Sequence, residues 1–188
     1  LLPVYPQRST TTTKSSVEDV IQKAGDSFNI KVIEPFYLDE GYNNAICEDI
    51  LEERGDDNDF HLIFSAHGLP QKIVDKGDPY QEQLEEQLKL LKSQLSNKFQ
   101  SISLAYQSKV GPMKWLEPSL DTTLESFKGE KVIIYPIAFI IDNSETVFEL
   151  EIEYRELAEE LGVKEFKVCK CLNSNEKFVN SLINIIKE

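Results

Sequence analysis

The sequence predicts a three-layer, doubly wound α/β domain on a mostly parallel sheet. Three observations predict it. Short apolar, β-branched runs alternate with helix-period stretches along the whole chain. Two of those runs, "HLIFSA" and "KVIIYPIAFII", are nearly continuous, as suits strands covered on both faces. No repeat of fixed period and no long linker interrupts the alternation.

The elements follow in order. Leu1–Tyr5 is an apolar run and the first expected strand. "RSTTTTKSS" is polar and of low complexity, so a loop is expected there. "SSVEDVIQKAG" has a serine start and a glycine stop, the marks of a helix. Ile30–Glu34 is the second expected strand, and "YNNAICEDILEERG" is a helix with the same glycine stop. His61–Ala66 is the third strand. "YQEQLEEQLKLLKSQL" places Leu84, Leu88, Leu91 and Leu95 on one helical stripe. Ser101–Tyr106 is a strand, "SLDTTLESFKG" a short helix and Lys131–Pro136 a strand. "SETVFELEIEYRELAEELG" is a long helix ending at Gly162. Its Glu145, Glu149 and Glu153 stand four apart and repel on a regular helix. An irregular or widened first turn is therefore expected, of the kind that gathers at functional sites. Phe166–Cys169 is the last strand, and "NEKFVNSLINIIKE" the last helix.

Bulk properties narrow the function. A chain of 188 residues with 40% hydrophobic content can bury one sizeable core. The net charge of -13 repels phosphate backbones and anionic lipid heads, so nucleic acid is excluded as a partner while a local cation site is not. Cys47, Cys169 and Cys171 are too few and too odd in number for a disulfide framework, and a reducing compartment fits them. No run reaches the length of a membrane span, and no signal-peptide pattern is present. "LLPVYPQ" begins without methionine and reads as the end of a buried strand, so a longer parent chain is expected.

In such sheets ligands bind beyond the carboxyl ends of the strands. His67, Gln107 and Asp142 all fall just past expected strand ends, on one rim if the strands are parallel. Neither a G-x-G-x-x-G nor a Walker loop is present, which argues against nucleotides. His67 is either a capping, half-buried histidine or a proton acceptor and metal ligand at the rim; Gly68 and Pro70 break the strand and favour the second reading. The three glutamates form either a solvated acidic face or a carboxylate track that passes cations. Asp142 and Glu145 also lie where a helix dipole favours negative charge. Carboxylates with one imidazole suit a weakly held, exchangeable divalent metal. Trp115 and Met113, each the only residue of its kind, sit in the loop "YQSKVGPMKWLEP", as a core plug or as a flat wall for a planar ligand. Cys169 and Cys171 share a strand face and read as core thiols.

"FSAHGLP", "GDPY", "YQSKVGPMKWLEP" and "PIAFIIDNSETVFELEIEYREL" together resemble the ferrochelatase family, in order and in spacing, over nearly the whole chain. The resemblance implies a Rossmann-like chelatase lobe and insertion of ferrous iron into protoporphyrin, the last step of haem synthesis, in the cytoplasm. It implies that residues 1–188 are the C-terminal lobe of a bacterial-type member. With one wall of a two-walled cleft, the isolated chain is expected to turn over at a negligible rate. Residue by residue, it makes His67 and Glu145 the catalytic pair and the iron ligands. Glu149, Glu153 and Asp142 become a proton or metal relay, and Gln107, Ser108, Met113 and Trp115 porphyrin contacts. Where the family often has Asp-His, this chain has Asp142-Asn143, so a second imidazole is missing. Some members hold an iron–sulfur cluster, but Thr10 stands at one ligand position and no set of four cysteines exists, so no cluster is expected. A monomer with at most a peripheral membrane contact is expected. The rival readings are a cobalt or nickel tetrapyrrole chelatase and a tetrapyrrole- or metal-binding module without turnover.

Overall fold

The computed structural model describes residues 1–187 of the chain. Four strands form one sheet: β1 (Phe60–His67), β2 (Ile102–Gln107), β3 (Lys131–Pro136) and β4 (Glu165–Val168). They run in the order β2-β1-β3-β4, and every pairing is parallel. The helices are α1 (Ser15–Ala24), α2 (Glu40–Arg54), α3 (Gln71–Val74), α4 (Tyr80–Gln94), α5 (Leu120–Leu124), α6 (Tyr154–Leu161) and α7 (Glu176–Lys187). Gly55 takes φ +65 at the end of α2, a left-handed value that a side chain resists, and so explains that stop.

Alternation along the strands makes two cores. Leu62, Phe64, Ile133 and Tyr135 face α2, α4 and α7, where Tyr42, Ile46, Leu84 and Phe178 meet them. Ile63, Val132 and Ile134 face the other way, against Leu120 of α5, Ala158 of α6 and Leu150. Fully burying one such side chain contributes roughly 1.5–3 kcal/mol. Among the described residues no helix is long and apolar enough to cross a membrane.

Two expected strands do not form. Leu1 donates to Lys31 O at 2.7 Å. Ile33 N–H donates back to Leu1 O at 2.9 Å, which starts a parallel ladder. The next two donors would be the N–H groups of residues 3 and 35, and both residues are proline, so the ladder stops. The expected loop "RSTTTTKSS" is also corrected. Thr10–Lys14 forms a π-helix that runs directly into α1. Ser9, not a serine of "SSVEDV", caps it by accepting from Thr11 N–H.

The widened turn after Asn143 does form: Glu145–Glu153 is a nine-residue π-helix that continues into α6. The strand order reverses between β1 and β3, because β2 lies on one side of that pair and β4 on the other. A crevice opens beyond the carboxyl ends at such a switch point. His67 ends β1 there, and the chain leaving β3 reaches Glu145 there.

Candidate active site

His67 and Glu145 meet at this crevice. Nδ1 of His67 lies 2.6 Å from Oε2 of Glu145, with the two side chains 40% and 37% exposed. The hydrogen bond that His67 donates to the Glu145 carboxylate raises the His67 pKa above its ordinary value; burial opposes the shift, and the charges of Glu145 and Glu149 add to it. The reciprocal bond lowers the Glu145 pKa, again against burial. Both directions favour an ion pair. Tyr80 OH donates to His67 O at 3.1 Å and steadies the strand end. Asn143 Oδ1 accepts from Glu145 N–H at 2.8 Å, so this asparagine caps the π-helix that presents the glutamate.

Gln107 and Ser108 stand beside the pair because β2 is in register with β1, His67 opposite Gln107. Gln107 is fully buried. Its Oε1 accepts from Ser65 Oγ at 2.7 Å. Its Nε2 donates to Glu149 Oε2 at 3.1 Å. Ser108 sits at φ +63, which turns both its N–H and its hydroxyl toward the carboxylates. Ser108 N–H donates to Glu149 Oε1 at 2.7 Å, and Ser108 Oγ to Glu149 Oε2 at 2.6 Å. The same Oγ lies 3.2 Å from Glu145 Oε2. One hydroxyl therefore joins two carboxylates, and one oxygen of Glu145 touches both His67 and Ser108. Gly68 makes the approach possible: a Cβ there would stand 2.8 Å from Gln107 O.

Two unlike cavities flank the pair. One, of about 770 Å³, is lined by His67, Ser108, Trp115 and all three glutamates of the row, together with Asp121 and Tyr154. The other, of about 340 Å³, is lined by His67 and Glu145 with Tyr5, Leu69, Tyr80, Ile140, Ile141, Thr11 and Thr12. Trp115 is half-buried and held by its loop, in which Leu116 N–H donates to Leu69 O at 3.0 Å and Gln71 N–H to Lys114 O at 2.9 Å. Met113 of the same loop is 54% exposed and outside both cavities' walls. Asp142 faces elsewhere, accepting from Cys171 N–H and Asn173 Nδ2, each at 2.8 Å.

The pair supplies only two donor side chains. Among the described residues no three His, Cys, Asp or Glu side chains gather as a metal-holding group. The three cysteines are buried and unpaired, and burial pushes the Cys47 thiol up to about 12. Thr11, Thr12, Ser65 and Tyr80 were not singled out by sequence. Ser65 had a signal, as one polar residue inside an apolar strand, and Tyr80 stood in the "GDPY" segment; the two threonines had none.

Comparison with known proteins adds the family. The Ferrochelatase family profile matches residues 1–188. A ferrochelatase of a Nitratiruptor species is 50% identical over 190 residues, covering 98% of this chain and 62% of that protein. A ferrochelatase of Wolinella succinogenes is 47% identical over 196 residues, covering 100% of this chain and 62% of its own length. The chain thus spans about three fifths of the length of these relatives. Among solved structures, SirB from Bacillus subtilis with Fe3+ aligns with a TM-score of 0.71 at 14% identity, over 100% of this chain and 69% of that one. At that identity the likeness is one of fold.

Proposed function

The chain belongs to the ferrochelatase family, and from that premise we propose that the protein inserts ferrous iron into protoporphyrin IX to give protohaem. The observation that carries this reading is the His67–Glu145 pair standing between a carboxylate-lined and a mainly apolar cavity. Insertion requires that two pyrrole N–H protons leave as the metal enters. Glu145 engages Nδ1 and makes the imidazole more basic, so the neutral ring, once the ion pair has shed its Nε2 proton, keeps its remaining proton at Nδ1 and offers Nε2 to a pyrrole proton. The proton then passes from Nδ1 to Glu145 Oε2, on to Ser108 Oγ as Ser108 gives its own proton to Glu149 Oε2, and out past Glu153 to water. That passage leaves His67 protonated at Nε2; the ring loses this proton to water in the open cavity and regains one at Nδ1 by the reverse of the same path before it takes the second pyrrole proton, so one proton reaches water for each one taken and no charge accumulates. Two donors leave iron free to exchange its ligands for the four ring nitrogens. Leu69, Ile140 and Ile141 offer apolar surface to the ring, and Trp115 a flat face.

The same reading places the protein in the cytoplasm, as a monomer with at most a peripheral membrane contact, and without an iron–sulfur cluster. Three buried, unpaired thiols suit a reducing compartment. Thr10 gives its hydroxyl to Asp78 and offers no thiolate.

The test is metal insertion by the intact protein, with zinc or with ferrous iron under anaerobic conditions, read from the metalloporphyrin absorbance band. Insertion is expected in the wild type, and Glu145→Gln is expected to lower the rate on the order of a hundredfold. Porphyrin binding, read by fluorescence quenching, should persist in both. Binding without insertion by the wild type would replace the enzyme reading with that of a binding module.

A further inference from the structure

The "GDPY" segment, Gly77 to Tyr80, has no part in the proton path, yet it reaches both walls of the 340 Å³ cavity. One wall is the chain from Val4 to Thr12; the other is the set of strand ends around His67 and Glu145. Asp78 is 5% exposed and ties the first wall. Its Oδ2 accepts from Thr10 Oγ1 at 2.6 Å, Thr10 N–H at 2.7 Å and Ser9 Oγ at 3.0 Å. Its Oδ1 accepts from Tyr80 N–H at 3.0 Å, an Asx turn that starts α4. Tyr80, fixed by that turn, donates its hydroxyl to His67 O on the second wall.

The local sequence explains the device. Gly77 takes φ +92 and turns the chain back. Asp78 follows with a side chain short enough to bond its own backbone, and Pro79 stands at the helix start, where its missing N–H is harmless. The carboxylate that completes this turn still has one oxygen free for three donors of a segment 68 residues earlier. Bonds to a charged acceptor are roughly twice as strong as neutral ones. Burial pushes the Asp78 pKa up, but the bonds from Thr10, Tyr80 and Ser9 bring it below the ordinary carboxylate value. The clasp is therefore charged at neutral pH.

We propose that Asp78 is the positioning residue that sets the width of the cavity beside His67, by clasping the Ser9–Thr10 wall to the turn that holds Tyr80. The inference rests on the proposed function and names a specificity element for its tetrapyrrole. Its loss lets the Thr10–Lys14 π-helix drift from the strand ends. The planar ligand then binds more weakly, while the His67–Glu145 chemistry on bound ligand persists.

The test uses the intact protein with protoporphyrin as probe, its dissociation constant read by fluorescence quenching and its KM and kcat by zinc insertion. Asp78→Ala is expected to raise the dissociation constant and KM about tenfold, with kcat within about threefold of wild type. Thr10→Val removes one tie from the opposite side without touching the turn, and is expected to weaken binding about threefold. Because both act on one clasp, the double variant should bind no more weakly than Asp78→Ala. Asp78→Asn should fall between wild type and Asp78→Ala, since an amide has one acceptor oxygen and cannot serve both Tyr80 N–H and the Ser9–Thr10 donors. Thr10→Val keeps the test informative if the Asp78 variants fold poorly. Unchanged binding in Thr10→Val, losses that multiply in the double variant, or a kcat loss without a KM change would each overturn the clasp. A wild type that binds no porphyrin would instead overturn the functional reading, and the clasp with it.

Discussion

Strand β1 carries a histidine near each end, and the two rings have opposite surroundings. His67 is 40% exposed, lies 2.6 Å from Glu145 and forms part of two cavity walls. His61 is 18% exposed, with its Nδ1 2.7 Å from Ser101 Oγ, Glu130 3.8 Å from its Nε2 and the Phe127 ring 4.8 Å away. At the amino ends of the strands, side chains close over the ring. At the carboxyl ends, the reversal of strand order leaves the crevice open. A histidine with a carboxylate nearby is therefore not enough to mark a site; an opening for the reactant must accompany it.

The largest expected effect separates the two rings. His67→Ala in the intact protein should lower metal insertion on the order of a thousandfold, with porphyrin binding retained. His61→Ala should leave the rate within about twofold. Comparable losses from both variants would erase the distinction and point to a general effect on folding.

A smaller effect sharpens the account of the open end. Ser108→Ala removes the hydroxyl that joins Glu145 to Glu149, and Ser108→Gly does so with a residue that suits φ +63. Both should slow insertion about tenfold without weakening porphyrin binding. A wild-type rate in either variant would remove Ser108 from the proton path.

The smallest effect concerns stability and pH. The raised His67 pKa gives stabilisation that is complete below the unfolded histidine value of 6.5 and is lost as pH rises through the folded value. The lowered Glu145 pKa gives stabilisation that is complete above the unfolded carboxylate value of 4.5 and is lost as pH falls through the folded value. The pair therefore contributes most between pH 4.5 and 6.5. Both groups are more than a third exposed, so the contribution is below about 1 kcal/mol. The stability difference between wild type and Glu145→Gln, from denaturant melts across pH, should peak in that window and shrink on its alkaline side. A difference that grows above pH 8 would contradict the ion pair.

Much of the fold was legible because the two central strands, β1 and β3, are nearly continuous apolar runs, and β3 matches its expected span residue for residue. The failures have local and distant causes. Leu1–Tyr5 and Ile30–Glu34 have the side chains of strands but lack the donors at Pro3 and Pro35, and an apolar pattern does not register a missing N–H. The π-helix at Thr10–Lys14 was illegible because its anchor, Asp78, lies 68 residues further on. In the site, His67 was visible as a polar residue just past a strand end, and Glu145 as the first of a row of carboxylates at a helix start. The bond of Ser108 to two carboxylates was not, since it depends on a left-handed backbone that serine seldom adopts.

Gly68 bears on which residues the chain can exchange. Positions 67 and 68 are neighbours held for unrelated reasons: imidazole at 67 is what the proposed proton transfer requires, and an empty space at 68 is what the backbone geometry requires, with 2.8 Å to the Gln107 carbonyl. Under selection for folding alone, position 67 drifts and position 68 stays fixed. Under selection for turnover both stay fixed. A lineage that lost the reaction but kept the domain would betray itself by that pattern, with the glycine outliving the histidine.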